Sequence, residues 1–347
     1  MFENFFNNNK PVIGIDIGHS SIKIAFVLRK GKKAQLLSIN EIPVKNVPMS
    51  KEGISDKNTL ITNIRQALQT AKPHPISSII TGTSLPSSLV FTKLITQPLI
   101  TDIKNLEKSI PRQAEDFLPI PIDQVVLDWQ IISQNHIEKE MDILIIAAPK
   151  ALVNDLALVF AAAGLKLQFI EIKPISLARS ITNASEENPI AIVDIGSDAT
   201  GISITHRGNV KATSTLTIGA QNIIDAIKAT EKNTTASANN LVQEGQTKDV
   251  NNIITNGLKP IVDEVIKLVK YYQSRVESSG VVKEIRLCGG GSQITNVANY
   301  FQEMTKIPTI ISNPLLNITS CPKEILSPSL LKYSVAIGLS LRKINIK

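Results

Sequence analysis

Apolar and polar positions first fall into a clear pattern at Val12-Ile13-Gly14-Ile15-Asp16-Ile17. This run breaks at Gly18, passes through His19-Ser20-Ser21 and resumes as Ile22-Lys23-Ile24-Ala25-Phe26-Val27. That is strand, tight turn, strand. Far downstream, Ile190-Ala191-Ile192-Val193-Asp194-Ile195-Gly196-Ser197-Asp198-Ala199-Thr200-Gly201 repeats it and continues as Ile202-Ser203-Ile204. Two copies of strand, Asp-x-Gly, small polar turn and strand predict two related half-domains facing one another across a cleft.

The same reading places the remaining elements. A strand spans 34–44, and Asp56 starts a helix with Leu60, Ile61, Ile64, Ala67, Leu68 and Ala71 at helical spacing. A short strand at 77–81 precedes a turn at Ser84-Leu85-Pro86. From 89 to 150 the texture changes: strand 89–95, helix 101–117, then strands 125–132 and 142–148, a compact insert of one helix on a small sheet. A helix at 150–163 ends at Gly164, strand 165–172 follows, and Pro174 sits in the first turn of the next helix, to 181. After a polar hinge at 183–188 the second half repeats the first, with strands 190–194, 200–205 and 210–216 and a helix at 220–229. The polar stretch 231–250 holds a short helix near 238–242, and a long helix covers 253–279. Strand 285–288 then runs into Gly289-Gly290-Gly291-Ser292, opening a helix at 296–304, and a final helix covers 329–343.

Chemistry enters at the turns. Small residues with free backbone N–H groups cradle an anion, and an aspartate at the mouth of such a turn holds a metal ion through water. A strand leading through glycines to a helix N-terminus aims N–H groups and the helix dipole at a phosphate.

Composition removes other classes. The net charge of +7 is scattered and aromatics make up 4% of the chain, so no clustered basic tract supports nucleic-acid binding. A mild basic excess fits work near an anionic membrane face. Two cysteines among 347 residues argue for a reducing compartment, and four scattered histidines against structural zinc. The N-terminus lacks a signal-peptide pattern, and no apolar run reaches the ~18 residues of a spanning helix. The expectation is a cytoplasmic protein.

The three loops fall in the order and spacing of the actin-like nucleotide-binding superfamily. The segment Pro111-Arg112-Gln113-Ala114-Glu115-Asp116-Phe117-Leu118-Pro119-Ile120-Pro121-Ile122, continuing through Asp128-Trp129, resembles the PilM family of type IV pilus assembly. So do Met1-Phe2, the Ile172-Lys173-Pro174 corner, Leu287-Cys288-Gly289-Gly290-Gly291-Ser292 and the closing Val335-Ala336-Ile337-Gly338-Leu339. The resemblance implies an actin-like α/β fold of the Hsp70 and FtsA type. Each lobe would be a mixed five-stranded sheet with helices, with an FtsA-like 1C insert. Subdomain 1A would comprise 10–88, 151–187 and 328–347; 1C, 89–150; 2A, 188–222 and 284–327; and 2B, 223–283.

It also implies ATP and Mg2+ in the cleft. Gly18, His19, Ser20 and Ser21 would form the first phosphate loop, with Lys23 reaching a phosphate. Gly196 and Ser197 would form the second, and Gly219 matches the glycine before the next helix. Asp16 and Asp194 would face the metal. Gly290, Gly291 and Ser292 would border the nucleoside. Superfamily members that carry Glu and Lys for ribose and adenine differ from this chain, where Asn240 and Gln243 would serve with neutral, weaker hydrogen bonds. At Lys173 the chain carries an ammonium where chaperone-like relatives position water with an acid, so slow or no hydrolysis is expected.

The implied partner is the N-terminal cytoplasmic tail of a PilN-like bitopic membrane protein, gripped in a groove beside the insert. Other pilus platform proteins, the motor ATPases and a homodimer are further implied contacts, with the membrane reached only through partners. A metabolite kinase and an FtsA-like polymerising ATPase are the alternatives on the same fold.

Overall fold

The computed structural model describes residues 11–31, 33–44, 49–183, 185–230, 248–274 and 280–343. Two five-stranded sheets carry the chain. The first contains Val12–Ile17, Ser21–Lys30, Lys33–Pro43, Ile80–Leu85 and Lys166–Ile172; the second, Ile190–Ile195, Thr200–His206, Asn209–Leu216, Glu284–Cys288 and Thr309–Ile311. Numbered within its own sheet, each set lies in the spatial order third, second, first, fourth, fifth. In each, the first three strands are antiparallel, and the fourth and fifth join parallel to the first. The repeat seen at two Asp-x-Gly turns therefore extends to the whole sheet.

The two Asp-x-Gly turns close alike. Gly18 N–H donates to the Ser21 carbonyl at 2.9 Å, and Gly196 N–H to the Ala199 carbonyl at 3.0 Å. Each preceding strand is apolar on both sides because helices cover both faces of the sheet. All six residues of Val12–Ile17 are buried. One face of the first sheet packs Leu60, Ile64, Leu156 and Phe160 from the helices Lys57–Gln69 and Lys150–Ala162. In the second lobe, Ile223 and Ile227 from helix Ala220–Thr230 join Leu258, Ile261 and Val265 from helix Lys248–Gln273.

Between the sheets lie two short helices, Lys173–Ile181 and Ser334–Ser340. Leu177, Ala178, Ile181, Val335 and Leu339 form one apolar cluster with Ile190, Ile192 and Cys288 of the second sheet. The contact is very close. A Cβ on Gly338 would stand 1.9 Å from the Ser176 carbonyl oxygen, and one on Gly14 would stand 1.9 Å from that of Ala336.

The insert is the antiparallel sheet Phe91–Pro98, Glu140–Pro149 and Val125–Asn135, with Glu140–Pro149 central, packed on helix Ile103–Glu115. It also touches the second lobe. Thr92 and Thr213 share a hydroxyl hydrogen bond of 2.6 Å, and Lys211 Nζ donates to the Ile132 carbonyl at 2.9 Å.

Three expectations are corrected. The fourth strand of the first sheet is Ile80–Leu85, where the sequence pattern points to a turn at Ser84-Leu85-Pro86. Its Thr-Gly-Thr-Ser run looks turn-like because contacts from elsewhere demand small polar residues. Gly82 lies under the Phe169 ring, and Thr83 Oγ1 donates to the Ile15 carbonyl at 2.7 Å. The glycine turn after Cys288 opens a 3₁₀ turn, Gly290–Gln293, rather than a helix, and helix Val297–Thr305 starts only after Asn296 at φ 59°. The final helix is likewise split into a 3₁₀ segment, Pro328–Tyr333, and Ser334–Ser340.

Candidate functional site

The two duplicated hairpins face a single cavity of about 470 Å³ between the lobes. Gly18, His19, Ser20, Ser21 and Lys23 line it from the first lobe, and Asp194, Gly196 and Ser197 from the second. Asp16 and Lys173 lie on its wall, and Gly290 and Gly291 border it. His19 Nδ1 lies 3.3 Å from Asp198 Oδ2, so the tips of the two hairpins touch across the cleft.

Two of the expected residues make close contacts within the protein itself. The Ser292 hydroxyl turns inward and donates to the Gly289 carbonyl at 2.7 Å. Gly219 presses on the second loop from behind: a Cβ there would stand 2.2 Å from the Ser197 carbonyl oxygen. That approach lets Ala220 N–H donate to Gly196 and Gln221 N–H to Ser197. Asn240 and Gln243 lie outside the described residues.

Ser84 behind the wall, and Gln293, Glu41 and Lys332 on it, are among the residues the sequence did not point to. Ser84 Oγ donates to Asp16 Oδ1 at 3.0 Å, a contact legible only once Ile80–Leu85 is a strand beside Val12–Ile17. Gln293 comes from the 3₁₀ turn. Lys332 pairs with Glu41 from the far end of the chain, and no local signal joins those two. Lys23 reaches the same carboxylate at 3.8 Å while its Nζ donates to Ser21 Oγ at 2.7 Å.

At the floor, Lys173 Nζ sits 3.0 Å from Asp16 Oδ1. Burial alone would push the Asp16 carboxyl up. Lys173, with Lys23 and Ser84, outweighs burial and holds the carboxyl below its ordinary value. Burial would likewise depress Lys173, but Asp16 and Asp194 raise it. Asp194 goes the other way: burial pushes its carboxyl up, and the neighbouring Asp16 adds to this against the pull of Lys173. The Cys288 thiol, itself raised by burial, shares a hydrogen bond with Asp194. Glu171, on the strand that leads into Lys173, is unavailable as a general base. Arg179 holds it with bonds of 2.8 and 3.0 Å, and Arg342 adds one of 2.9 Å.

A divalent cation between Asp16 and Asp194 does not fit this donor set. Hard cations take oxygen ligands with free lone pairs, carboxylates foremost, whereas Oδ1 of Asp16 already carries an ammonium and a hydroxyl. Among the described residues no group of three His, Cys, Asp or Glu side chains is placed to hold a metal.

Asp194 in its half-buried setting beside Asp16 carries a cost that a neutral isostere removes. Asp194→Asn keeps an oxygen for Cys288 and is expected to stabilise the unliganded protein by about 1 kcal/mol. Urea unfolding of the two proteins at neutral pH measures it. A less stable variant would show that the carboxylate is well accommodated.

Two duplicated lobes, hinged by buried helices and presenting paired Asp-x-Gly hairpins to one cleft, define an actin-like fold. Matching solved structures include a "PilM-PilN type IV pilus biogenesis complex", at TM-score 0.80 and 20% identity, covering 96% of this chain and 98% of that one. MreB5 of Spiroplasma citri bound to AMPPNP matches at TM-score 0.53 and 15% identity, covering 95% of each chain. In sequence, cell division protein FtsA of Bacillus subtilis (strain 168) is 20% identical over 255 residues, 67% of this chain and 57% of that protein. FtsA of Streptococcus pneumoniae is 24% identical over 228 residues, 59% of this chain and 49% of that protein. The chain thus spans about half the length of these relatives. The family model described as "Type IV pilus assembly protein PilM" matches residues 14–344. This chain belongs to that family.

Proposed function

We propose that this protein is an ATP-binding scaffold of the type IV pilus assembly platform, docking the N-terminal cytoplasmic tail of a PilN-like bitopic membrane protein. The observation that carries the nucleotide half is the meeting of both hairpins, Gly290 and Gly291 on one cavity. Each hairpin tip is a concave run of backbone and hydroxyl groups suited to phosphate oxygens. Slow or no hydrolysis follows from Lys173 and the engaged Glu171, neither of which can take a proton from water. Rapid phosphate release would overturn that.

For the tail, a second cavity of about 480 Å³ is lined by Gln130 of the insert together with Ile175, Asn183, Asn209 and Asn317. The Gln130 amide both donates and accepts, which suits the backbone of an extended peptide, while Asn317 donates to the Arg179 and Thr182 carbonyls and keeps its oxygen. Among the described residues no helix is long and apolar enough to cross a membrane. Other platform proteins, the motor ATPases and a second copy of this chain are further proposed contacts.

Capture of the full chain on an immobilised tail peptide of that membrane protein, with and without ATP, tests the reading. We expect capture, strengthened by ATP. Gln130→Ala is expected to weaken capture, and Gly196→Val to remove the ATP effect alone, because a Cβ at Gly196 would stand 2.8 Å from the Ala199 carbonyl oxygen. Failure of the tail to hold the protein in either condition would refute the partner.

A further inference from the structure

Two carboxylates of the interlobe cavity, Asp16 and Glu41, already face ammonium groups from the chain itself. Asp16 has Lys173 at 3.0 Å, and Glu41 has Lys332. Lys173 is the one at the floor, reaching Asp16 between the two hairpins. It is also fixed there. It is the first residue of helix Lys173–Ile181, follows the parallel strand Lys166–Ile172, and is succeeded by a proline that restricts its backbone. Its side chain is only 17% exposed and that of Asp16 only 6%. An ammonium has three donors, and Asp16 takes one, leaving the others for oxygens arriving in the cavity.

A metal accompanying a nucleotide is held by one or two carboxylates plus phosphate oxygens and water, and it neutralises the phosphates. Here Oδ1 of Asp16, one of the two carboxylates that would face it, already carries Lys173 and Ser84, and the positive charge it would bring is present as that same ammonium. We propose that Lys173 stands in for the divalent cation, so that this cleft takes its nucleoside triphosphate without magnesium. The proposal rests on the nucleotide reading of the cleft.

The test is titration of the full chain with ATP, in excess magnesium and in EDTA, for the natural protein and for Lys173→Gln and Lys173→Arg. The natural protein is expected to bind with affinities within about threefold of each other in the two buffers. Lys173→Gln, with Asp16 released, is expected to bind at least about tenfold more weakly in EDTA than in magnesium. Lys173→Arg keeps the charge and is expected to keep the natural ratio. Binding by the natural protein that EDTA abolishes would overturn the proposal while leaving the nucleotide reading intact, and so would a Lys173→Gln variant indifferent to magnesium. Absence of ATP binding in both buffers would overturn both. Should Lys173→Gln not fold, the natural protein's comparison between buffers decides alone.

Discussion

Asp16→Ala is expected to cost about 3–5 kcal/mol of folding stability, because it leaves the Lys173 ammonium buried without its partner. The loss should shrink in the double variant Asp16→Ala with Lys173→Met, since an apolar pair avoids the desolvation that the ion pair must offset. A double-mutant cycle by urea unfolding measures both, and additive losses would show that the two groups do not act as a pair. The pair also sets a pH window. Asp16 is lowered in the folded state, so its contribution is complete above the unfolded value near 3.9 and is lost as pH falls through the folded one. Lys173 is raised, so its contribution is complete below about 10.4 and is lost as pH rises through its folded value. Asp194 opposes this on the acid side. Its folded value is raised, so its burial costs stability at neutral pH, and acidification relieves that cost down to about 3.9.

Gly338→Ala is the second large effect. The new methyl would lie 1.9 Å from the Ser176 carbonyl oxygen, an overlap with backbone that no side-chain rotation relieves. Overpacking of this kind costs about 1–3 kcal/mol where neighbours can move. Here the neighbours are clamped. Arg179 Nη1 donates to the Gly338 carbonyl at 2.6 Å, and Ser340 Oγ donates to the Val12 carbonyl while accepting from Val27 N–H at 2.8 Å. A loss at the upper end of that range or beyond it is therefore expected, read as a fall in the urea midpoint without a change in slope. Because helix Ser334–Ser340 lies between the two lobes, the variant should also weaken ATP binding even where it remains folded. Unchanged stability would mean that the helices separate more easily than this contact implies.

The residues that speak locally were the legible ones. Asp16-Ile-Gly and Asp194-Ile-Gly announced themselves because a hairpin tip is built from consecutive residues, and because the same solution appears twice. Helix Lys57–Gln69 was equally plain, with Asp56 capping it by accepting from Thr59 N–H at 3.0 Å. Ile80–Leu85 was obscured because its Thr, Gly and Ser residues answer to Phe169, Ile15 and Asp16, which are distant in the chain. The inward turn of the Ser292 hydroxyl was not legible, because a serine after three glycines looks the same whether it faces a ligand or its own turn.

By itself, the sequence determined the duplicated strand-and-turn plan, the insert, the resemblance to a family and the identity of both phosphate-loop candidates. Each of these rests on short-range spacing and on apolar periodicity that any folded form must respect. Only the tertiary structure decided the electrostatics of the cleft: which lysine meets which carboxylate, that His19 reaches Asp198, and that Lys173 pairs with Asp16 Oδ1. Such pairings form between segments far apart in the chain, brought together by the burial of apolar strands and helices that carry no record of the charges they align.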